Sequence, residues 1–527
     1  MTYQVSNIAL HVVTQWVHTG HSMHLPSTSY RPARRKTRWQ ATAAIFLLLW
    51  GTLGAIVSLQ KLFSEEDVSR TTYAVAAVPS HGAPATNCSP PAIHHFPADL
   101  FTQAQRRQGA VILHVIASLY MFMALAIVCD DYFVPSLERI SEGLRLQPDV
   151  AGATFMAAGS SAPELFTSIF GVFISQDDIG VGTIVGSAVF NLLFIVGLCG
   201  LMVGTAITLT LWPLLRDCSV YLISVAALIV SLYDGKIHWY EAVVMVVLYC
   251  LYVVLMYFNP RLSALFNCCY PGRAGKDNKE QKEDTLLIKP VSEKGTVEKI
   301  SQETPLNVAV TADETVREEP ESPFSVPSQP WRRVLWVVGL PLTALLWGTV
   351  PDCRRDRWRR WYPVSFLMSV VWIGVFTYIL VWTVTVIGFT MGIPDTVMGL
   401  TLVAVGTSVP DAISSVLVSK EGEGDMAVSN AVGSNVFDIL VGLGVPWFFK
   451  TVVVDTNSVV YIQSGGLVYS AVTLLSTVLV LLFIMWLNRW RLDRELGVIC
   501  SCLYAVFLTL GILYELGVFG ISTCLLA

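Results

Sequence analysis

Three acidic residues stand inside apolar stretches of this sequence, Glu164, Asp411 and Asp438, each with oxygen-bearing neighbours at helical spacing. Ser160, Ser161 and Glu164 fall within one helical turn, as do Thr407, Ser408 and Asp411, so each set can present hydroxyls and a carboxylate together. Ser187 with Asn191, and Ser434 with Asp438, repeat the device at i, i+4. Pro163 and Pro410 lack an N–H, which frees the carbonyls of Gly159 and Gly406 at mid-helix; those of Ala157 and Ala404 lie close enough to join them. Carboxylate, carbonyl and hydroxyl oxygens without a His or Cys ligand suit a hard cation such as Ca²⁺, which takes roughly six to eight oxygens, and suit zinc or copper poorly. A carboxylate at mid-membrane costs about 2.5–3.5 kcal/mol on an insertion scale, so the three acids imply a function. Close helix packing alone would account for Gly, Ser and Thr here, but not for acids in matching registers. Asp178 and Asp425 fall in short turns, where helix capping or solvation is expected.

The elements that carry these residues are membrane helices. The 527 residues are 54% hydrophobic and only 14% charged, with a mean hydropathy of +0.58, far more apolar than a soluble chain of this size. Basic residues gather in short clusters beside apolar runs, which marks topology and gives nucleic-acid binding no support. Stretches long enough to cross a bilayer occur at 109–128, 150–173, 179–208, 215–232 and 239–258, then at 364–387, 394–419, 426–449, 464–487 and 496–520. Residues 259–330 between the sets are rich in Lys, Glu, Ser, Thr and Pro and read as a cytosolic loop. The shorter apolar run 334–350 has arginines on both flanks, Arg332 and Arg333 before it and Arg354 to Arg360 after it. It is therefore expected as an interfacial or re-entrant helix with both ends in the cytosol.

Self-comparison ties the acids together. Residues 152–197 align without a gap on 399–444 at a constant offset of 247, matching Thr154 with Thr401, Gly159 with Gly406, Pro163 with Pro410, Ser168 with Ser415, Gly186 with Gly433 and Ser187 with Ser434. With 334–350 kept from crossing, an odd number of spans separates the copies, so they run in opposite directions. The expected fold is an all-α polytopic membrane protein of two inverted five-helix repeats, 109–258 and 363–527, with an N-terminal leader or anchor helix within 1–59. Inverted repeats place substrate near the midplane, at helices broken by Gly and Pro, here "GSSAPEL" at 159–165 and "GTSVPDA" at 406–412. Repeated acids around a pore axis would suit a channel, whereas an inverted pair of broken helices favours a carrier. A receptor gives no reason for matched buried acids, and no nucleophile, base or hydrolytic metal spacing suggests an enzyme.

The remaining features are peripheral. Residues 39–58 after a basic cluster read as a signal anchor or a signal peptide, and 60–108 as an extracellular or lumenal segment with Asn87 as a glycosylation acceptor. Eleven cysteines lack metal-ligand spacing; Cys88 and Cys524 are the two placed outside the cytosol and could bridge, and Cys268 and Cys269 follow a span as palmitoylation candidates or an inert pair.

"PDVAGATFMAAGSSAPEL" at 148–165, "GDMAVSNAVGSNVFDILVGLG" at 424–444, "PSLE" at 135–138 and "NRWRLDRELG" at 488–497 closely resemble the potassium-dependent sodium/calcium exchangers of the calcium/cation antiporter superfamily. The resemblance implies ten core helices plus a leader, Glu164 and Asp411 as the main Ca²⁺ and Na⁺ ligands, and Asp438 as the K⁺-linked acid. It implies no cofactor; Ca²⁺, Na⁺ and K⁺ are the transported partners in a lipid bilayer, and a homodimer is compatible with it. The competing expectation is a potassium-independent Na⁺ or H⁺ exchanger for Ca²⁺ in an intracellular membrane. The plasma membrane is the expected address, with a Golgi or lysosome-related membrane as the alternative.

Overall fold

The computed structural model describes residues 92–146, 148–202, 207–269, 324–326, 330–420, 424–454, 458–462 and 464–516. The leader, Asn87, Cys88, Cys524 and nearly all of the 259–330 loop lie outside them, and Cys268 and Cys269 belong to a helix whose last side chains are not described. The described chain is helical: α1 (Gln103–Gly143), α2 (Thr154–Ser160 with Ala162–Ser175), α3 (Ile179–Met202), α4 (Leu211–Leu232) and α5 (Trp239–Tyr257). Two helices follow in the middle of the chain, α6 (Asn259–Cys269) and α7 (Pro330–Thr349). The second set is α8 (Arg357–Met391), α9 (Asp395–Thr407 with Val409–Lys420), α10 (Gly424–Val454), α11 (Gly466–Leu487) and α12 (Arg494–Glu515). Eight of these are long and apolar enough to cross a bilayer, and the bent pairs α2 and α9 bring the number to ten among the described residues. Each expected span has a helix over most of its described residues. In the stretch expected as 179–208, Ile179–Met202 is helix and Ile207–Thr208 is a short strand.

Local chemistry sets several ends. Within α8 the regular α-helix runs Tyr362–Met391; Pro363 stands in its first turn, where the missing N–H costs nothing, and Gly392 closes it at φ 71°, a left-handed conformation that glycine adopts freely. Asp493 caps α12 by accepting the Leu496 N–H at 3.0 Å.

Antiparallel order is visible in the side chains that join the two sets. Ser118 of α1 hydrogen-bonds Thr383 of α8 at 2.9 Å, while Phe133, further along α1, stacks on Phe366, earlier on α8. Two short ribbons link the connectors. β1 (Ile207–Thr208), between α3 and α4, pairs with β4 (Arg491–Leu492), between α11 and α12. β2 (Lys236–Ile237), between α4 and α5, pairs with β3 (Val460–Tyr461), between α10 and α11. The 22 residues of α4 separate β1 from β2, so connectors at equivalent places in the two sets lie at opposite ends of the bundle. Asp178 and Asp425 reinforce these joints and are not simply solvated. Asp178 accepts the Ser464 N–H at 2.7 Å and Asp425 the Thr210 N–H at 2.7 Å, each carboxylate reaching into the other set.

The 334–350 stretch is helical as α7. Leu342 and Leu346 are buried in the core shared with α1 and α8, whereas Val334, Val337 and Trp347 are exposed. Thr349 accepts the Trp372 indole N–H at 2.9 Å, and just beyond the helix Arg354 pairs with Asp131 of α1 at 2.9 Å.

Candidate cation site

The site forms where α2 and α9 break. The two pieces of α2 meet at 64° and those of α9 at 44°. The hinges are Ser161 (φ −97°, ψ 11°) and Ser408 (φ −91°, ψ 3°), each two residues before its proline. Ser161 still donates its N–H to Ala157 O at 3.1 Å, and Ser408 to Ala404 O at 3.3 Å; the Ser160 and Thr407 hydroxyls reach the same two oxygens at 3.3 and 3.4 Å, so these expected carbonyl ligands are already engaged. Extra-wide π-helical turns recur at matching places, Gly152–Met156 and Gly399–Val403, then Phe190–Ile195 and Asp438–Leu443. Turns of this kind often mark functional sites.

The three acids are buried, with exposures of 1% for Glu164, 7% for Asp411 and 1% for Asp438. They belong to one cluster that crosses the two sets. Ser408 of α9 donates to Glu164 of α2 at 3.4 Å, and the Thr407 hydroxyl faces the same carboxylate. Ser161 of α2 faces Asp438 of α10, which lies within electrostatic range of Glu164 and Asp411. Asn191 donates to Asn435 at 3.1 Å, and Asn435 in turn donates to Ala188 O at 3.0 Å. Among the described residues no cationic side chain is paired with the acids; Cys129 of α1 lies within electrostatic range of Glu164 and Asp411. Several buried oxygens remain without a hydrogen-bond partner, among them Ser161 Oγ, Glu164 Oε2, Asn191 Oδ1 and Asp438 Oδ1. Buried oxygens that face one another unpaired are costly unless a ligand satisfies them. Among the described residues no group of three or more His, Cys, Asp or Glu side chains is placed to hold a metal ion, so a cation here would draw on the serine, amide and carbonyl oxygens as well as the acids.

Not every expected ligand is free. Ser187 donates to Ile184 O at 3.1 Å, Ser434 to Ala431 O at 3.3 Å and Ser160 to Ala157 O at 3.3 Å, so these hydroxyls bond their own helices and offer only oxygen lone pairs. Four residues escaped the sequence reading of the site. Ser168 and Ser415 follow Glu164 and Asp411 by one turn, and their hydroxyls are buried and unpartnered; their identity in the self-alignment was the signal. Asn435 orients Asn191. Asp130 of α1 is exposed and lies within electrostatic range of Asp411.

α1 covers both hinges, with Val134 and Leu137 against Gly159 and the Phe122 ring against Gly406. The seams beside the broken helices differ. α3 and the first half of α9 meet backbone to backbone: a Cβ on Gly399 would stand 2.5 Å from Ile179 O, and one on Gly186 would collide with Leu400 O. The counterpart contact, between α10 and the first half of α2, is open. Gly152 has nothing within 4 Å of such a Cβ, and Gly433 only the Tyr252 hydroxyl at 3.8 Å. Met156 is accordingly 40% exposed, where its counterpart Val403 is 0% exposed.

The profile of a family described as "Sodium/calcium exchanger protein" matches residues 114–258 and 361–513, the two sets of helices that build the site. The human protein named sodium/potassium/calcium exchanger 4 is 43% identical over 537 residues, spanning 82% of this chain and 86% of its own. Human sodium/potassium/calcium exchanger 5 is 42% identical over 496 residues, spanning 92% and 97%. A solved structure of the sodium-calcium exchanger NCX_Mj aligns at 22% identity with a TM-score of 0.42, covering 76% of this chain and 98% of that one. Apolar helices in two sets, a shared buried acidic cluster and relatives alike over nearly their whole length identify this multi-pass membrane protein as a member of the sodium/calcium exchanger protein family.

Proposed function

We propose that the chain is a secondary active antiporter that exchanges Na⁺ for Ca²⁺ together with K⁺ by alternating access. The carrying observation is the cluster of Glu164, Asp411 and Asp438, buried together on helices from both sets and edged by unpartnered oxygens. Three negative charges balance one Ca²⁺ plus one monovalent ion, and uncompensated charge in a poorly solvated cavity is costly. Glu164 and Asp411, with Ser161, Ser408 and the Ser168 and Ser415 hydroxyls, would hold Ca²⁺ or Na⁺, and Asp438 with Asn191 the K⁺. The names of the relatives, sodium/potassium/calcium exchangers, support the same ions. Ca²⁺ flux into sealed vesicles, with Na⁺, K⁺ and Ca²⁺ varied separately, tests the reading. It should need an opposing Na⁺ gradient, and K⁺ on the Ca²⁺ side; flux indifferent to Na⁺ would remove the exchanger.

The two halves are proposed to be inverted, supported by the antiparallel pairing of α1 with α8 and by equivalent connectors at opposite ends of the bundle. The 259–330 loop and residues 351–362 would then share the cytosolic side, with the plasma membrane as the working address. A cysteine introduced at position 356 should react with an impermeant thiol reagent only after permeabilisation. Labelling in intact cells would break this orientation.

A further inference from the structure

Tyr221 belongs to α4, outside the repeated segments, and is completely buried at 0% exposure. Its phenol oxygen makes no hydrogen bond within ordinary distance and angle, and the groups beside it are the Cys218 thiol of its own helix, the Asp438 carboxylate and the Asn435 amide. One turn earlier on the same helix, Asp217 takes the Ser429 hydroxyl of α10 and the Arg216 guanidinium, which fixes this face of α4 against α10. A buried phenol usually finds a partner. Asn435 is partly engaged: its Oδ1 accepts from Asn191 and one N–H of its Nδ2 goes to Ala188 O, which leaves its second N–H as the one donor facing the phenol and keeps a phenol lone pair for another partner.

Three unpartnered oxygens therefore converge around Asn435 from three helices: Asn191 Oδ1 of α3, Tyr221 Oη of α4 and Asp438 Oδ1 of α10. The Asn191 Nδ2 donation to Asn435 Oδ1 fixes which way Asn191 faces, with its own oxygen left over as an acceptor. Among the three only Asp438 carries charge, so a single positive charge balances the set, whereas a divalent ion there would be left half compensated in a dry site. The buried polar residues of α11, the helix that follows α10 as α4 follows α3, are Ser470, Thr473 and Thr477, so the phenol accompanies the acid of the second half and not Asn191's own half.

Resting on the exchanger reading above, we infer that Tyr221 supplies its hydroxyl oxygen to the monovalent cation beside Asp438 and sets the affinity for that ion apart from the affinity for Ca²⁺. Tyr221→Phe removes one oxygen and keeps the ring that fills the core. In vesicles carrying the full chain, the K⁺ concentration for half-maximal Ca²⁺ uptake should rise about three- to tenfold, the scale of one lost neutral polar contact. The Ca²⁺ half-saturation, measured at saturating K⁺, should stay within about twofold, and Tyr221→Phe should add nothing further in an Asp438→Asn background. Thermal melting of the purified protein gives a second measure that does not depend on vesicle delivery: KCl should stabilise the variant less than the wild type, and CaCl₂ equally. An unchanged K⁺ half-saturation, or K⁺ and Ca²⁺ affinities that shift together as for a packing defect, would overturn the inference. Wild-type flux indifferent to K⁺ would remove the K⁺ reading beneath it, a result decided by the wild-type arm alone.

Discussion

Glu164→Gln and Asp411→Asn should each lower Na⁺-driven Ca²⁺ uptake about 100-fold or more while leaving the protein in its membrane. Both substitutions keep the shape of the side chain and remove its charge. The site then loses a ligand and half of the neutralisation that a dehydrated divalent cation needs, and the remaining oxygens are neutral or single acids. Stability should hold, because an isolated buried carboxylate contributes desolvation cost to the empty fold and an amide of equal size relieves it. The hinges make the two acids equivalent in this respect: Glu164 and Asp411 each begin the second half of a broken helix and each is followed one turn later by a buried serine. Uptake in vesicles, normalised to the amount of protein at the surface, is the measurement. Ordinary flux in both variants would remove them from the ion path.

Asp438→Asn should leave Ca²⁺/Na⁺ exchange running and abolish its need for K⁺. Two negative charges then remain, which matches Ca²⁺ alone, and position 438 becomes like its counterpart Asn191. Uptake is compared with K⁺ replaced by a large inert cation on the Ca²⁺ side, with voltage clamped. Wild-type uptake should fall at least tenfold on replacement, and variant uptake should change less than about twofold. A variant that still required K⁺ would place that ion elsewhere.

Much of the site was legible because its chemistry is local. A proline two residues past a serine, with an acid next to it, marks a broken helix with freed carbonyls in any sequence, and the constant offset between copies made the pattern stand out from ordinary apolar helices. Residues whose role depends on distant partners were not legible. Tyr221 lies outside the aligned segments, so nothing in its neighbourhood distinguishes it from other membrane tyrosines. Asn435 has Ala188 as its repeat counterpart, so the self-comparison gave it no weight; in the fold it donates to that very residue's carbonyl. Asp178 and Asp425 looked like turn residues because their partners, Ser464 and Thr210, lie hundreds of residues away. The fate of 334–350 turned on flanking arginines, which say where the ends belong but not that Leu342 and Leu346 would join the core beside α1.

The unequal glycine seams mean that a single methyl group can discriminate between shapes of the same molecule. At Gly186 or Gly399 there is no room for one, so alanine there is compatible only with a shape in which α3 and α9 have drawn apart. At Gly152 or Gly433 the present shape accepts the methyl, and its cost would appear only when α2 closes on α10 as tightly as α9 now does on α3. Aligned glycines that look interchangeable in the repeat thus carry opposite preferences: the same substitution, moved by 247 positions from 186 to 433, changes from a wedge against this shape into a prop that holds it.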